Sequence, residues 1–285
     1  RVRVTHNTVI SVLEQVAQNG KAWQQAAWAA DARAASLAGT PVALTYRTTD
    51  KTEMVDFQGY AYTRTPSEVS GMLMTRYDES KPQVWRVPLR EDVVPDRVVA
   101  APRAGYIVPA AWADIVAKKL ALHGIAFRKL DRAIAQAPVE TFRAAKATFG
   151  ATSLESHQRL TVDGAWEAEP RAVLPGSLYV PVNQPKARLV VAMLEPQAPD
   201  SLLAWGYFNN AYERKEYMEE YVAEDVAREQ MAADPALAAE FKRRVETDPA
   251  FAKNPHARLD FFYKRHASWD ERHNLYPVYR TAVAP

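Results

Sequence analysis

The 285 residues are 48% apolar and 25% charged, near the globular average, which excludes a disordered or fibrous chain and predicts about two folding units. The formal net charge is only +2, with Lys and Arg scattered among Asp and Glu, so the basic footprint of a nucleic-acid binder is missing. The absence of cysteine excludes disulfides, thiol nucleophiles and thiolate metal ligands without choosing a compartment.

No window reaches the roughly 18 apolar residues of a membrane-spanning helix, and no charged start with an apolar core resembles a signal peptide. The opening RVRVTHNTVISVLEQVAQNG predicts a helix capped by Thr5 or Asn7, with Val9, Val12, Leu13 and Val16 on one face. Asn19-Gly20 predicts a stop or kink. KAWQQAAWAADARAASLAG then predicts a second helical stretch, with Trp23, Ala26, Ala27 and Ala30 at helical spacing and an end at Gly39. A chain that starts at Arg1 inside an amphipathic element, without an initiator Met, is expected to be a processed or truncated fragment.

From Thr40 the pattern turns to short alternating runs, PVALTYRT, MVDFQGYAYT, GMLMTRYD and QVWRVPL, which predict strands. The run from Val55 to Pro109 is rich in Tyr, Trp, Gly and Pro and predicts a rigid β region with no reacting group. One helix interrupts the strands: PAAWADIVAKKLALHG starts at Pro109 and stops at His123-Gly124, where His123 can bond the last carbonyls. IAFRKL, VETFRAAKATFG, HQRLTVDGAWEAEPRAVLPG, SLYVPV and ARLVVAMLEP predict a second antiparallel set, with Asp163-Gly164 and Pro175-Gly176 as turns. After Asp200 the composition is helical, and Asp234-Pro235 and Asp248-Pro249 mark two helix starts. The acidic stretch from Glu213 to Glu229 reads as a solvated helix face. The fold class is therefore α+β: an N-terminal helix, a central antiparallel, sandwich-like β-rich region with one inserted helix, and a helical C-terminal tail. The corresponding division is 1–39, 40–200 and 201–285.

Reacting groups are scarce. Among six histidines none lies in H-x-x-E or H-E-x-x-H, and only HASWDERH clusters them, placing His266, Asp270 and His273 at i, i+4 and i+7. Two imidazoles and a carboxylate on one helix face are a zinc-type set, but such spacing is weakly specific, and a docking or solvated surface is the preferred reading. His6, in the first turn of the opening helix, reads as a polar end contact or a solvent-facing ring. No G-x-S-x-G, G-x-G-x-x-G or G-x-x-x-x-G-K-S/T occurs, so the nucleophile elbow and the phosphate loops lack support. Asp56, Asp78, Glu91 and Asp92 read as turn and edge residues rather than an acid/base pair. Catalytic, cofactor-binding and metal residues are accordingly assigned to no position.

The phrases VDFQGYAYTR, SGMLMTRYD, KPQVWRVPL, APRAGYIVPAAWA, KLALHGI and LPGSLYVPVNQPKARLVVAMLEPQAPDSLLAWGYFN together resemble the region downstream of the catalytic domain in a bacterial subgroup of zinc metallocarboxypeptidase-like proteins, the carboxypeptidase A superfamily. The resemblance covers nearly the whole chain. It implies a parent in which H-x-x-E and a later His hold zinc, and a Glu acts as base on the zinc-bound water. Those residues lie upstream of Arg1 in the family pattern, so none transfers to a position here, and His6 does not fill the gap. The resemblance further implies that residues 1–38 close the peptidase domain, that the partners are this chain's own N-terminal peptidase domain and, through it, a peptide substrate, and that the compartment is periplasmic or secreted. Trp85, Trp166, Trp205 and Tyr207 are candidates for a surface shaping substrate access, although burial is the commoner fate of such rings. The alternative from another class is a non-catalytic β-sandwich module that binds peptide or glycan through exposed aromatics.

Overall fold

The computed structural model describes residues 2–285. The opening element is a single helix, α1 (Val2–Ala34), which runs through Asn19-Gly20 without the stop that the pair suggested. A helical glycine costs only about 1 kcal/mol. Asn19 stays in the helix by turning its amide back onto the Gln15 carbonyl at 3.2 Å and the Gln15 side-chain oxygen at 3.1 Å. The left-handed residue that ends the segment is Gly39, at φ +71°.

The chain divides into two compact units, one made of Arg1–Gly39 with Ala101–Pro285 and the other of Thr40–Ala100. The second unit is built from ladders of two strands. β1 (Pro41–Ala43) pairs with β6 (Val98–Ala100), and β2 (Tyr46–Thr48) with β5 (Val93–Pro95), so the two ends of this unit run side by side. Between them β3 (Glu53–Pro66) and β4 (Leu73–Leu89) form a long antiparallel hairpin. Its register slips between Tyr60 and Ala61, where β4 carries Glu79, Ser80 and Lys81 as extra residues, the signature of an enlarged bulge. A two-stranded ribbon is marginal in water. Trp85 compensates by lying flat over Gly59, where any Cβ would approach its ring to 2.5 Å, so the glycine is required by the ring above it.

In the first unit a six-stranded antiparallel sheet carries the core, in the order β11-β10-β14-β7-β13-β8. Its members are β7 (Gly105–Val108), β8 (Arg128–Lys129), β10 (Val139–Leu154), β11 (His157–Ala168), β13 (Leu178–Pro181) and β14 (Tyr279–Thr281). A side ladder pairs β9 (Ile134–Ala137) with β12 (Arg171–Val173). Helix α2 (Ala110–Leu122) follows β7 and buries Ala113, Val116 and Leu120. At its end the His123 backbone N–H, rather than the imidazole, reaches the Lys119 carbonyl at 3.3 Å, while Lys186 donates to the His123 carbonyl at 2.5 Å.

Two expectations fail in this unit. Asp163-Gly164 is no turn but the interior of β11, beside the register shift between Ala144 and Lys146; the Arg143 carbonyl would stand 2.1 Å from a Cβ at Gly164, so the glycine permits close strand approach. The hairpin actually turns at Glu155 and Ser156, both with positive φ (50° and 66°), a conformation usually announced by Asn or Gly. ARLVVAMLEP, expected as a strand, is helix α3 (Ala187–Leu194), because it buries Ala187, Val190, Val191, Met193 and Leu194. An apolar run this short carries no periodicity that separates a buried strand from a buried helix.

The tail holds α4 (Glu220–Ala233), α5 (Pro235–Thr247), α6 (Pro249–Ala252) and α7 (Pro255–Tyr263). Asp234 accepts the N–H groups of Ala236 and Leu237 at 2.9 and 3.1 Å, Asp248 that of Phe251 at 3.0 Å, and Asn254 that of Ala257 at 3.0 Å, each ahead of a proline in the first turn. The third cap repeats the chemistry with Asn in place of Asp. Asp234→Ala and Asp248→Ala are each expected to destabilise the chain by about 1 kcal/mol; midpoints of urea unfolding that move for neither variant would remove the capping role. The helix face expected from Glu213 begins only at Glu220, where α4 starts; from there the acidic face is solvated, with Ala223 and Ala227 its buried residues. These helices close on Phe251, Phe261 and Phe262, with Phe241 packed against them.

A boundary at residue 200 does not appear in the packing. Leu202, Leu203, Phe208 and Tyr212 share one core cluster with Tyr106, Phe142 and Leu160 of the sheet, and Tyr276 and Val278 return to the same cluster from the far end of the chain. The tail therefore begins inside the core that the sheet builds.

Candidate functional site

His266, Asp270 and His273 do not share a helix face, because α7 ends at Tyr263 and the following residues run as turns and bends. Nδ1 of His266 accepts the Ser268 N–H at 3.2 Å and lies 2.8 Å from its hydroxyl, and Asp270 accepts the Arg272 N–H at 3.0 Å. The His273 ring meets Trp269 edge-on at 5.6 Å; burial, with Lys264 and Arg214 nearby, lowers its pKa and favours the neutral ring. Among the described residues no group of three or more His, Asp or Glu side chains is placed to hold a metal ion.

The four aromatic candidates separate. Trp166 is a core-edge ring, against Phe142 at 5.6 Å and Tyr276 at 6.2 Å, with the Arg280 guanidinium 4.3 Å from its centroid. Trp205 and Tyr207 flank His157 at 5.7 and 5.3 Å, and Arg159 and Lys119 already cover them at 4.2 and 5.1 Å. Trp85 alone belongs to an open cluster. It stacks on Phe57 at 6.0 Å and 24°, and meets Tyr62 at 5.7 Å and Tyr77 at 6.3 Å; Phe57, Tyr62 and Tyr77 are 55%, 47% and 59% exposed. The slipped register brings the Phe57–Trp85 and Tyr62–Tyr77 pairs into this one group. Two acidic side chains of the unit serve it locally: Asp78 takes the Ser80 hydroxyl and Lys81 at the bulge, which lowers its pKa, and Asp92 accepts the Thr49 hydroxyl at 2.7 Å; Asp56 instead lies within the ladder, opposite Arg86.

The most strongly buried charges are a pair that the sequence did not single out. Glu195, just past α3, receives Nε and Nη2 of Arg280 at 2.8 and 2.5 Å, and the Tyr106 hydroxyl donates to it at 2.5 Å. Its side chain is 1% exposed and that of Arg280 9%. Burial first, and then the Glu195 charge, pushes the Tyr106 pKa well up, so this phenol acts as a donor. The arrangement is sealed and satisfied, which makes it structural. A lone Glu at the end of an apolar run was its one sequence signal.

A cleft of about 510 Å³ opens between the start of α2, β12, the 210–215 loop and the 270–279 segment. Trp112, Leu174, Leu275 and Pro277 give it apolar walls, and Arg171, Glu213, Lys215 and Arg272 give it charge of both signs. Asp270 and His273 end on its wall, whereas His266 does not. Arg171 is held by Glu169 at 2.6 Å and Glu271 at 3.5 Å. Burial opposes ionisation of Glu169, but the Thr141 hydroxyl at 2.6 Å and Arg171 outweigh it, and the pKa is lowered. No helix among the described residues is long and apolar enough to cross a membrane. In comparisons with known proteins, no family model, no curated protein and no solved structure matches the chain.

Proposed function

We propose that this chain is the C-terminal accessory part of a zinc carboxypeptidase-like protein, whose parent hydrolyses C-terminal peptide bonds in a periplasmic or secreted setting. The observation that supports this reading is α1. Val9, Val12, Leu13, Val16 and Trp23 fall on one helical stripe, and each is between 46% and 56% exposed; Ala34, on the same stripe, is the buried residue of the helix. An amphipathic helix keeps such a stripe to pack against a core. The peptidase domain, of which α1 would be the closing helix, is the partner that the family resemblance supplies.

The residues present do not fit zinc, since His266, Asp270 and His273 make separate local contacts. In this proposal the zinc and the base belong to the preceding domain, and this chain packs against it. Sequencing the encoding DNA upstream of the Arg1 codon tests the reading: an H-x-x-E motif with a later His is expected, and an open frame lacking it discards the mechanism. The 1–285 chain alone is expected to take up no stoichiometric zinc and to release no C-terminal residue.

A second reading, a non-catalytic module for peptide or glycan, is favoured by the open ring cluster of Phe57, Tyr62, Tyr77 and Trp85, since stacked rings on a strand ladder are a ready binding platform. Retention on peptide and glycan arrays that is the same for the native chain and Phe57→Ala discards it.

A further inference from the structure

We infer that the cleft between α2, β12 and the 270–279 segment binds a small zwitterion with an apolar body, an amino acid or dipeptide, its carboxylate toward Arg171 and Arg272 and its ammonium toward Glu213. The volume of about 510 Å³ falls within the roughly 300–1,000 Å³ of small-molecule sites, and the mixture of apolar wall with a few polar groups is what such sites share.

Three observations select the ligand class. Arg171 spends Nη2 on Glu169 and Nη1 on Glu271, while its Nε is buried without an acceptor. A buried donor in that state is an unmet hydrogen-bonding demand beside the cleft wall. Arg272 and Glu213, on the same cleft, form no ion pair among the described residues, so a charge of each sign is left open. A simple anion would face Glu213 and Asp270, and a simple cation would face Arg272 and Lys215; a ligand carrying both charges meets both demands. Trp112, Leu174 and Leu275 then accept its apolar side chain. The inference is independent of the peptidase proposal, because it concerns binding by this chain alone.

The test is calorimetric titration of the 1–285 chain with the dipeptide leucyl-phenylalanine, its N-acetyl form and its C-terminal amide. The free dipeptide is expected to bind with a Kd of about 1 mM or tighter, and blocking either end to weaken binding about tenfold, the worth of one charge-assisted hydrogen bond. Arg272→Ala should reduce the penalty for amidation, leaving the part due to Arg171, and Glu213→Gln should abolish the penalty for acetylation; both substituted side chains are solvent-facing, and circular dichroism checks that the variants fold. Absence of binding, equal binding of the blocked forms, a penalty at the carboxylate end only, or no response to either substitution overturns the assignment.

Discussion

Replacing Arg280 by Met is expected to lower the unfolding free energy by about 3–5 kcal/mol, the cost of leaving one member of a buried ion pair without its partner. Glu195 would keep only the Tyr106 hydroxyl in a site where its side chain is 1% exposed. The pair itself need not be net stabilising, since desolvating two ions offsets most of their attraction. The decisive comparison is therefore made in a Tyr106→Phe background, which strands no hydroxyl. There Glu195→Leu with Arg280→Met should lose less stability than Arg280→Met alone by urea unfolding. An equal or larger loss in the combined variant would mean that the stranded Glu195 carries no burial penalty.

The second large effect is expected at Leu203, which is 0% exposed and belongs to the cluster with Tyr106, Phe142 and Tyr276. Leu203→Ala should cost about 2–5 kcal/mol, through lost burial and the cavity left behind. Leu122→Ala, at a position 79% exposed on the last turn of α2, should change stability by no more than about 0.5 kcal/mol. The contrast tests where the domain ends. If residues after 200 formed a separate helical tail, Leu203→Ala would shift a local transition and leave the sheet's transition in place. A single cooperative loss places the 202–212 segment in the sheet's core.

The candidate groups were unevenly legible in the sequence. HASWDERH has helical spacing, yet the chain has already left α7 at Tyr263, and the positions disperse into local turn contacts. Spacing implies a common face only where the backbone is helical, and this stretch follows the Tyr263 end of its helix. Glu195 and Arg280 lie 85 positions apart and carry no motif; only the pairing of β14 with β7, beside α3, brings them together. The cleft was likewise invisible, because its walls come from four separated segments. Trp85 over Gly59 was foreshadowed by the density of aromatic and glycine residues in that run, although the slipped register that completes the ring cluster was not.

What the sequence determined by itself is the local part of this protein: the mixed α+β class, the strand character of the 53–89 stretch, and the helix starts at Asp234 and Asp248. Each depends on hydrogen bonds between residues two or three apart, or on a pattern repeated within one element. The tertiary structure decided the remainder: that ARLVVAMLEP is a helix, that Asp163-Gly164 lies inside a strand, and that the 202–212 segment, with Tyr276 and Val278, belongs to the sheet's core. For ARLVVAMLEP and the 202–212 segment the local preference is weak and burial against residues distant in sequence outweighs it, a property that no short window contains; at the exposed Asp163-Gly164 pair it is the ladder with β10 that overrides a strong turn signal.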